Sequence, residues 1–311
     1  MASGAYGSAN NMTVTTSDKF IPEMWSDEVI AAYKANLVFA NVVMNMNVSG
    51  KKGDTIHIPK ATNMAATAKA ANTAVTIQNF TDTEVTVSLN KHYEASYFIE
   101  DIVMKQALPS LRQIYTDRAG YALAKQIDSD LVALGSGFNS GSGTTAYNAG
   151  YIGGDGATLY VAGSNNASAL TAAGIRAIIQ KLDDNDVPLD NRFFVVPPVV
   201  KKTILGISDF TFWQNVGEAG RNNSVRNGLI GDVYGVPVYV TTNAATTSGS
   251  TAARACLLGH RDAMVLAVQE AVRTQTQYKQ EYLADLFTAD TIYGVAELRD
   301  TSAYAIIVPA V

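Results

Sequence analysis

The sequence predicts a mixed α+β protein with a protruding β arm, and three observations carry that reading. Asp54-Thr55-Ile56-His57-Ile58-Pro59 and Glu84-Val85-Thr86-Val87-Ser88-Leu89 alternate apolar and polar side chains, the period of extended strand. Leu108, Leu111, Ile114, Tyr115, Ala119, Ala122, Leu123, Ile127, Leu131 and Leu134 follow helical spacing over the longest such run in the chain. The last third is mostly strand-like, and no repeat of fixed period is present, which removes solenoids and propellers.

Residues 1 to 19 are small and polar and bury too little to fold alone, so they read as an arm. Trp25, Val29, Tyr33 and Leu37 then recur every four residues and predict a short amphipathic helix. Between the two alternating strands, Lys60 to Asn72 holds almost no large apolar residue, so strand, linker and strand together predict a long hairpin projecting from the body. Such a hairpin is marginal in water unless a neighbouring subunit supplies the surface it lacks. The long helix runs from Pro109 to Leu134, roughly 39 Å at 1.5 Å per residue, and Gly135 closes it.

Residues 135 to 168, rich in Gly, Ser, Asn and Ala, read as loop or short hairpin with turns at Gly153-Gly154 and Asp155-Gly156. Thr171 precedes Ile175, Ile178, Ile179 and Leu182, a second amphipathic helix ending before Asp186-Val187-Pro188. Phe193-Phe194-Val195-Val196-Pro197 has the composition of a buried strand, and Pro198 to Leu205 starts another helix. Strands follow at 236–240, 255–258, 263–268, 291–298 and 304–308.

Of 311 residues, 47% are hydrophobic and 16% charged, so the surface cannot be densely charged everywhere, and some of it is expected to meet other protein. A net charge of −5, from 28 acidic and 23 basic side chains, disfavours a dedicated phosphate-tracking protein. The single cysteine, Cys256, sits in an apolar run and is expected to act as a small buried hydrophobe. The start of the chain has neither the basic nor the apolar region of a secretion signal, and no apolar run approaches the roughly 20 residues that span a bilayer, so no membrane partner is expected.

Reactive constellations are missing from the pattern. His57, His92 and His260 stand without Cys or carboxylate at metal-ligand spacing, and Asp183-Asp184-Asn185-Asp186 lacks the sixth-position Gly and twelfth-position Glu of a calcium loop. Gly153-Gly154-Asp155-Gly156 lacks the following Lys and Ser or Thr of a phosphate cradle, and neither a Gly-x-Ser-x-Gly elbow nor a His-Glu-x-x-His pair occurs. No cofactor, metal or catalytic residue is assigned. The charges of the long helix, Arg112, Asp117, Arg118, Lys125, Asp128 and Asp130, read either as its solvated face or as contacts to DNA or other subunits.

The order of these parts resembles the major capsid proteins of tailed double-stranded DNA bacteriophages, with their HK97-like capsid fold of N-terminal arm, extended E-loop hairpin, long spine helix, peripheral domain and axial domain. The likeness rests on Gly53 to Pro59, Asn90 to Asp101, Asp186-Val187-Pro188 with Arg192 to Pro197, Gly231 to Tyr239, and the final strands through Arg299 to Val308. It implies an arm and short helix over 1–47, the E-loop over 48–98, spine and peripheral elements over 99–200, an axial domain over 201–290 and returning strands over 291–311. It further implies hexamers and pentamers closing into an icosahedral head around DNA held nonspecifically, built in the host cytoplasm. A portal and a separate scaffolding protein are the implied partners, with room for a decoration protein. Lys51, Lys52, Lys60, Lys69, Glu100, Asp101, Arg112 and Arg118 are the candidate intersubunit contacts, with Glu100 and Asp101 placed to receive cations from a neighbour. An encapsulin-like nanocompartment shell is the alternative; a tail component and, last, an enzyme follow it.

Overall fold

The computed structural model describes residues 38–60, 64–75, 77, 81–106, 111–138, 149–161, 166–207, 231–247 and 253–310. The arm and helix expected before residue 38 lie outside these residues, as does the expected helix start at Leu108 and Pro109. In chain order come α1 (Phe39–Val42), β1 (Met44–Asn47), β2 (Thr55–Lys60), β3 (Thr83–Ser88), β4 (Lys91–Glu100), α2 (Asp101–Gln106) and α3 (Leu111–Leu134). Then follow β5 (Ala149–Gly153), β6 (Leu159–Val161), α4 (Ala172–Asp184), β7 (Arg192–Val196), α5 (Pro198–Gly206), β8 (Asp232–Val233) and β9 (Val236–Val240). β10 (Ala253–His260), β11 (Met264–Lys279), β12 (Ala284–Glu297) and β13 (Ala303–Pro309) complete the chain.

Two sheets organise these elements. A seven-stranded sheet has the order β6-β5-β13-β10-β7-β9-β8, and a four-stranded sheet has the order β1-β11-β12-β4. The larger sheet is buried on both faces, which is why β7 is apolar at successive positions with all five residues buried. Phe194 and Val196 join Cys256, Leu258, Ile306 and Val308 beneath Ile175, Ile178 and Leu182 of α4 and Val200 and Ile204 of α5. Phe193 and Val195 face the other way, with Leu257 and Ile307, into a cluster containing Phe39, Leu131, Phe138 and Tyr293. Burial of each such Leu, Ile or Phe is worth about 1.5–3 kcal/mol before entropy is charged against it. α4 starts where expected because the Thr171 hydroxyl accepts the Gly174 N–H at 3.0 Å. The expected boundary at 200/201 falls inside α5, and that at 290/291 falls inside β12.

The 24-residue α3, about 36 Å long, lies along the four-stranded sheet. Ala119 and Leu123 pack on Tyr93, Ala95 and Tyr97 of β4 and Phe287 and Ala289 of β12. The Tyr97 and Phe287 rings stack at 4.8 Å, and the Tyr97 hydroxyl lies 3.2 Å from that of Thr116 on the helix. β11 and β12 form a hairpin of 16 and 14 residues, longer than the sequence pattern predicts. Its register shifts twice within one short stretch, between Val268 and Glu270 and again between Glu270 and Arg273, so that five steps along β11 are matched by three along β12, from Tyr293 to Asp290. Such bulges bend a strand and raise its local twist.

Candidate assembly surface

The arm is built as the alternation predicts. β2 and β3 pair antiparallel from Thr55↔Ser88 to Lys60↔Thr83, and His57 meets Glu84 at 3.1 Å. Ile56, Ile58 and Val87 turn inward onto Val265 and Ala267 of β11, on the sheet face opposite α3. The Gln269 amide pins the stem by donating to the carbonyls of Lys51 and Gly53, each at 3.1 Å. Beyond Lys60 the chain leaves the body: Met64, Val75 and Ile77 are 77%, 69% and 85% exposed.

Lys51, Lys52, Lys60 and Lys69 are all exposed along this arm. Among the described residues none of them pairs with Glu100 or Asp101 of the same chain. Glu100 is exposed at the end of β4, whereas Asp101, first residue of α2, accepts the Tyr278 hydroxyl at 2.8 Å. Arg118 is exposed on α3 with its guanidinium 5.9 Å from the Tyr115 ring centre, and Arg112 lies in the first turn of that helix.

Two charges expected on the solvated face of the long helix are not there. Asp128 is fully buried; one carboxylate oxygen accepts the Phe39 N–H at 2.8 Å and the other the Asn243 amide at 3.3 Å. Burial raises its pKa, and the hydrogen bonds from Phe39, Asn243, Val38 and Ala40 oppose that rise. Asp130 receives Lys91 at 3.0 Å, the Tyr293 hydroxyl at 2.7 Å and Gln126 at 3.2 Å. Both carboxylates tie α3 to other parts of its own chain, so the solvated reading is corrected for them. A signal was present: Asp128 sits at i−3 and i−4 from Leu131 and Val132, on the apolar stripe.

Sequence reasoning also missed the clamp on the outer face of the four-stranded sheet. Asp290 of β12 accepts both Arg273 Nε and an Arg273 terminal nitrogen, at 2.8 and 2.9 Å, and lies 3.0 Å from His92 Nε2. The Arg273 guanidinium beside Asp290, aided by His92, holds the carboxyl below the usual carboxylate range. β4, β12 and β11 are thereby joined just beyond the bulge.

Chemically this is a surface for contact. Among the described residues no group of three or more His, Cys, Asp or Glu is placed to share a metal ion. The Cys256 thiol is buried, and burial drives its pKa far up. No described helix is long and apolar enough to cross a membrane.

The family model described as "Phage capsid protein" matches residues 83–307, from β3 into β13. The chain belongs to the phage capsid protein family. The fold of this capsid protein is that of solved phage capsids. A structure from Mycobacterium phage Che8 matches with a TM-score of 0.72 and 23% identity, covering 92% of this chain and 97% of that one. The capsid structure of Cyanophage P-SCSP1u matches with a TM-score of 0.74 and 14% identity over 98% of each chain. The capsid of Ralstonia phage GP4 gives 0.68 and 16%, covering 100% of this chain and 98% of that one. No curated protein sequence matches. The expected HK97-like capsid fold is therefore present, and this major capsid protein is a structural component of the virion head.

Proposed function

We propose that this capsid protein is the tile of an icosahedral head, assembling as hexamers and pentamers around double-stranded DNA by fit between surfaces and with no catalytic step. The carrying observation is the arm beyond Lys60, whose Met64, Val75 and Ile77 find no cover in their own subunit. On this reading α3 with the four-stranded sheet forms the peripheral domain, and the seven-stranded sheet with α4 and α5 the axial domain. Lys51, Lys52, Lys60, Lys69, Glu100, Asp101, Arg112 and Arg118 supply charged contacts between copies, Asp101 also accepting the Tyr278 hydroxyl of its own chain. A portal and a separate scaffolding protein complete the head, a decoration protein has room outside it, and DNA contact inside is nonspecific. Assembly takes place in the host bacterial cytoplasm.

The test is electron microscopy with light scattering on the chain expressed alone, with and without nuclease treatment. Closed polyhedra or capsomer-sized rings are expected. Strictly monomeric behaviour under every condition would overturn the reading.

A further inference from the structure

β6 is the outermost strand on one side of the seven-stranded sheet, paired on its inner side with β5. Its residues, Leu159-Tyr160-Val161, include neither a charge nor a Pro. Tyr160 is fully buried and donates its hydroxyl to Thr247 at 3.1 Å. Leu159 and Val161 lie on the solvent side of the strand and are 58% and 44% exposed. An apolar edge of this kind is a template for another strand, and natural sheets blunt it with charge, Pro or a covering element. At the far end of the sheet, β8 carries the exposed charge of Asp232.

The β6 edge is covered by a side chain. Asn166 Oδ1 accepts the Val161 N–H at 2.8 Å, and Asn166 Nδ2 donates to the Leu159 carbonyl at 2.9 Å. These are the two groups that one residue of a parallel neighbour, facing Tyr160, would occupy, with its N–H on the carbonyl one position before and its C=O on the N–H one position after. A carboxamide carries the same donor and acceptor as a peptide unit, so one side chain stands in for one residue of strand.

The backbone that carries Asn166 is fastened separately. The Ser168 carbonyl accepts the Gly154 N–H and its hydroxyl accepts the Asp155 N–H, each at 3.2 Å. A Cβ at Gly154 would fall 2.5 Å from that carbonyl oxygen, so the close approach requires glycine. The Asp155 carboxylate in turn accepts the Ala157 and Thr158 N–H groups at 3.2 and 3.0 Å, on the turn that leads into β6. Strand, turn and covering residue are thus tied into one unit.

We propose that Asn166 acts as a side-chain strand that closes this edge of the seven-stranded sheet against a second copy of the chain. With the Leu159 carbonyl and the Val161 N–H occupied, an incoming strand finds no free pair to bond opposite Tyr160. Two uncovered β6 edges related by a two-fold axis would pair antiparallel and bury Leu159 and Val161 together, which makes a second copy the partner that an open edge would capture. The inference stands on the sheet alone and goes beyond the shell reading, because it concerns a contact that the subunit avoids.

Full-length Asn166→Ala subunits are expected to self-associate, by sedimentation velocity, at a concentration about tenfold or more below wild type. Adding Val161→Lys to the same chain is expected to return it to wild-type behaviour, because a charge blunts the edge without restoring the carboxamide. Asn166→Asp keeps an acceptor for Val161 and adds a charge, and is expected to stay dispersed. In dispersed wild-type subunits the Val161 amide is expected to exchange about tenfold or more slowly than in an unstructured chain. In dilute Asn166→Ala that protection is expected to disappear while α4 and β7 keep theirs, which separates an opened edge from a misfolded chain. If Asn166→Ala does not fold, Asn166→Ser carries the same test. A Val161 amide that exchanges at the unstructured rate in wild type would overturn the proposal whatever the variants do. So would a folded variant that stays as dispersed as wild type, or an association that Val161→Lys leaves in place.

Discussion

The Asp128 carboxylate accepts the Phe39 N–H at 2.8 Å across 89 residues of sequence, joining the start of α1 to the middle of α3. Asn243, just after β9 of the seven-stranded sheet, donates to the same carboxylate. One buried group therefore holds three distant segments of the chain together.

Because burial raises the Asp128 pKa above 3.8, the protonated form favours the folded chain. Its contribution is whole below about pH 3.8 and is lost as pH rises through the folded-state value. Asp128→Asn, neutral and still able to accept from Phe39, is expected to match or exceed wild-type stability at neutral pH and to flatten the fall in stability as pH rises above about 3.8. Asp128→Ala leaves the Phe39 N–H without its acceptor and is expected to cost about 1–3 kcal/mol. Denaturant midpoints of unassembled subunits across pH measure both.

Asp290 behaves oppositely. Arg273 holds its pKa below 3.8, so its stabilising contribution is present above that value and is lost as pH falls through the lower folded-state one. Asp290→Asn is expected to loosen the β11–β12 hairpin beyond the bulge, seen as faster amide exchange over 273–290 at neutral pH, with α4 and β7 unaffected. Equal exchange in the two proteins would show that the clamp holds nothing.

Tyr293→Phe removes one of three donors from Asp130 while keeping the ring that faces Tyr93 at 5.9 Å. The expected loss is about 1 kcal/mol, because Lys91 and Gln126 remain. Asp130→Ala should cost more, since it strands Lys91 and Tyr293 together. Thermal melts of the two variants give the order.

Arg192 is buried, and its guanidinium donates to the Pro188 and Val187 carbonyls and to Asp183. Arg192→Lys cannot reproduce that fork. Both Arg192→Lys and Arg192→Met are expected to destabilise the loop between α4 and β7, with limited proteolysis cutting first within 183–191.

Glu100→Lys is expected to reduce particle yield by light scattering, and Lys69→Glu in the same chain to restore part of it. Normal yield from Glu100→Lys alone would remove Glu100 from the contact.

Much of this architecture was legible in the sequence where one buried face imposes a period. The Thr171 cap with Ile175, Ile178 and Leu182 marked α4, and Ile56, Ile58, Val85 and Val87 marked the arm. β4 carries a readable signal in Tyr93, Ala95, Tyr97 and Ile99, which alternate inward, although 90–101 enters the sequence reading only through its likeness to capsid proteins. The far half of β11 could not be read this way, because neither face of 271–278 is buried within the chain and no apolar period arises. Asp128 and Asp290 were hidden for a different reason: their partners lie in other strands and segments, so nothing local marks them as buried or clamped.

The two layers are stitched by strands that barely pause between them. β10 of the larger sheet continues through Arg261–Ala263 into β11 of the smaller, and β12 returns through Asp300–Ser302 into β13. Each crossing is a single short 3₁₀ turn, and β10 and β13 are themselves paired, as are β11 and β12. A force applied at the hairpin tip is thus carried along two paired cables straight into the middle of the opposite sheet, with no slack loop to absorb it. Pressure from a packed genome would be shared between the layers as tension along backbone, leaving the side-chain packing between them to resist only shear.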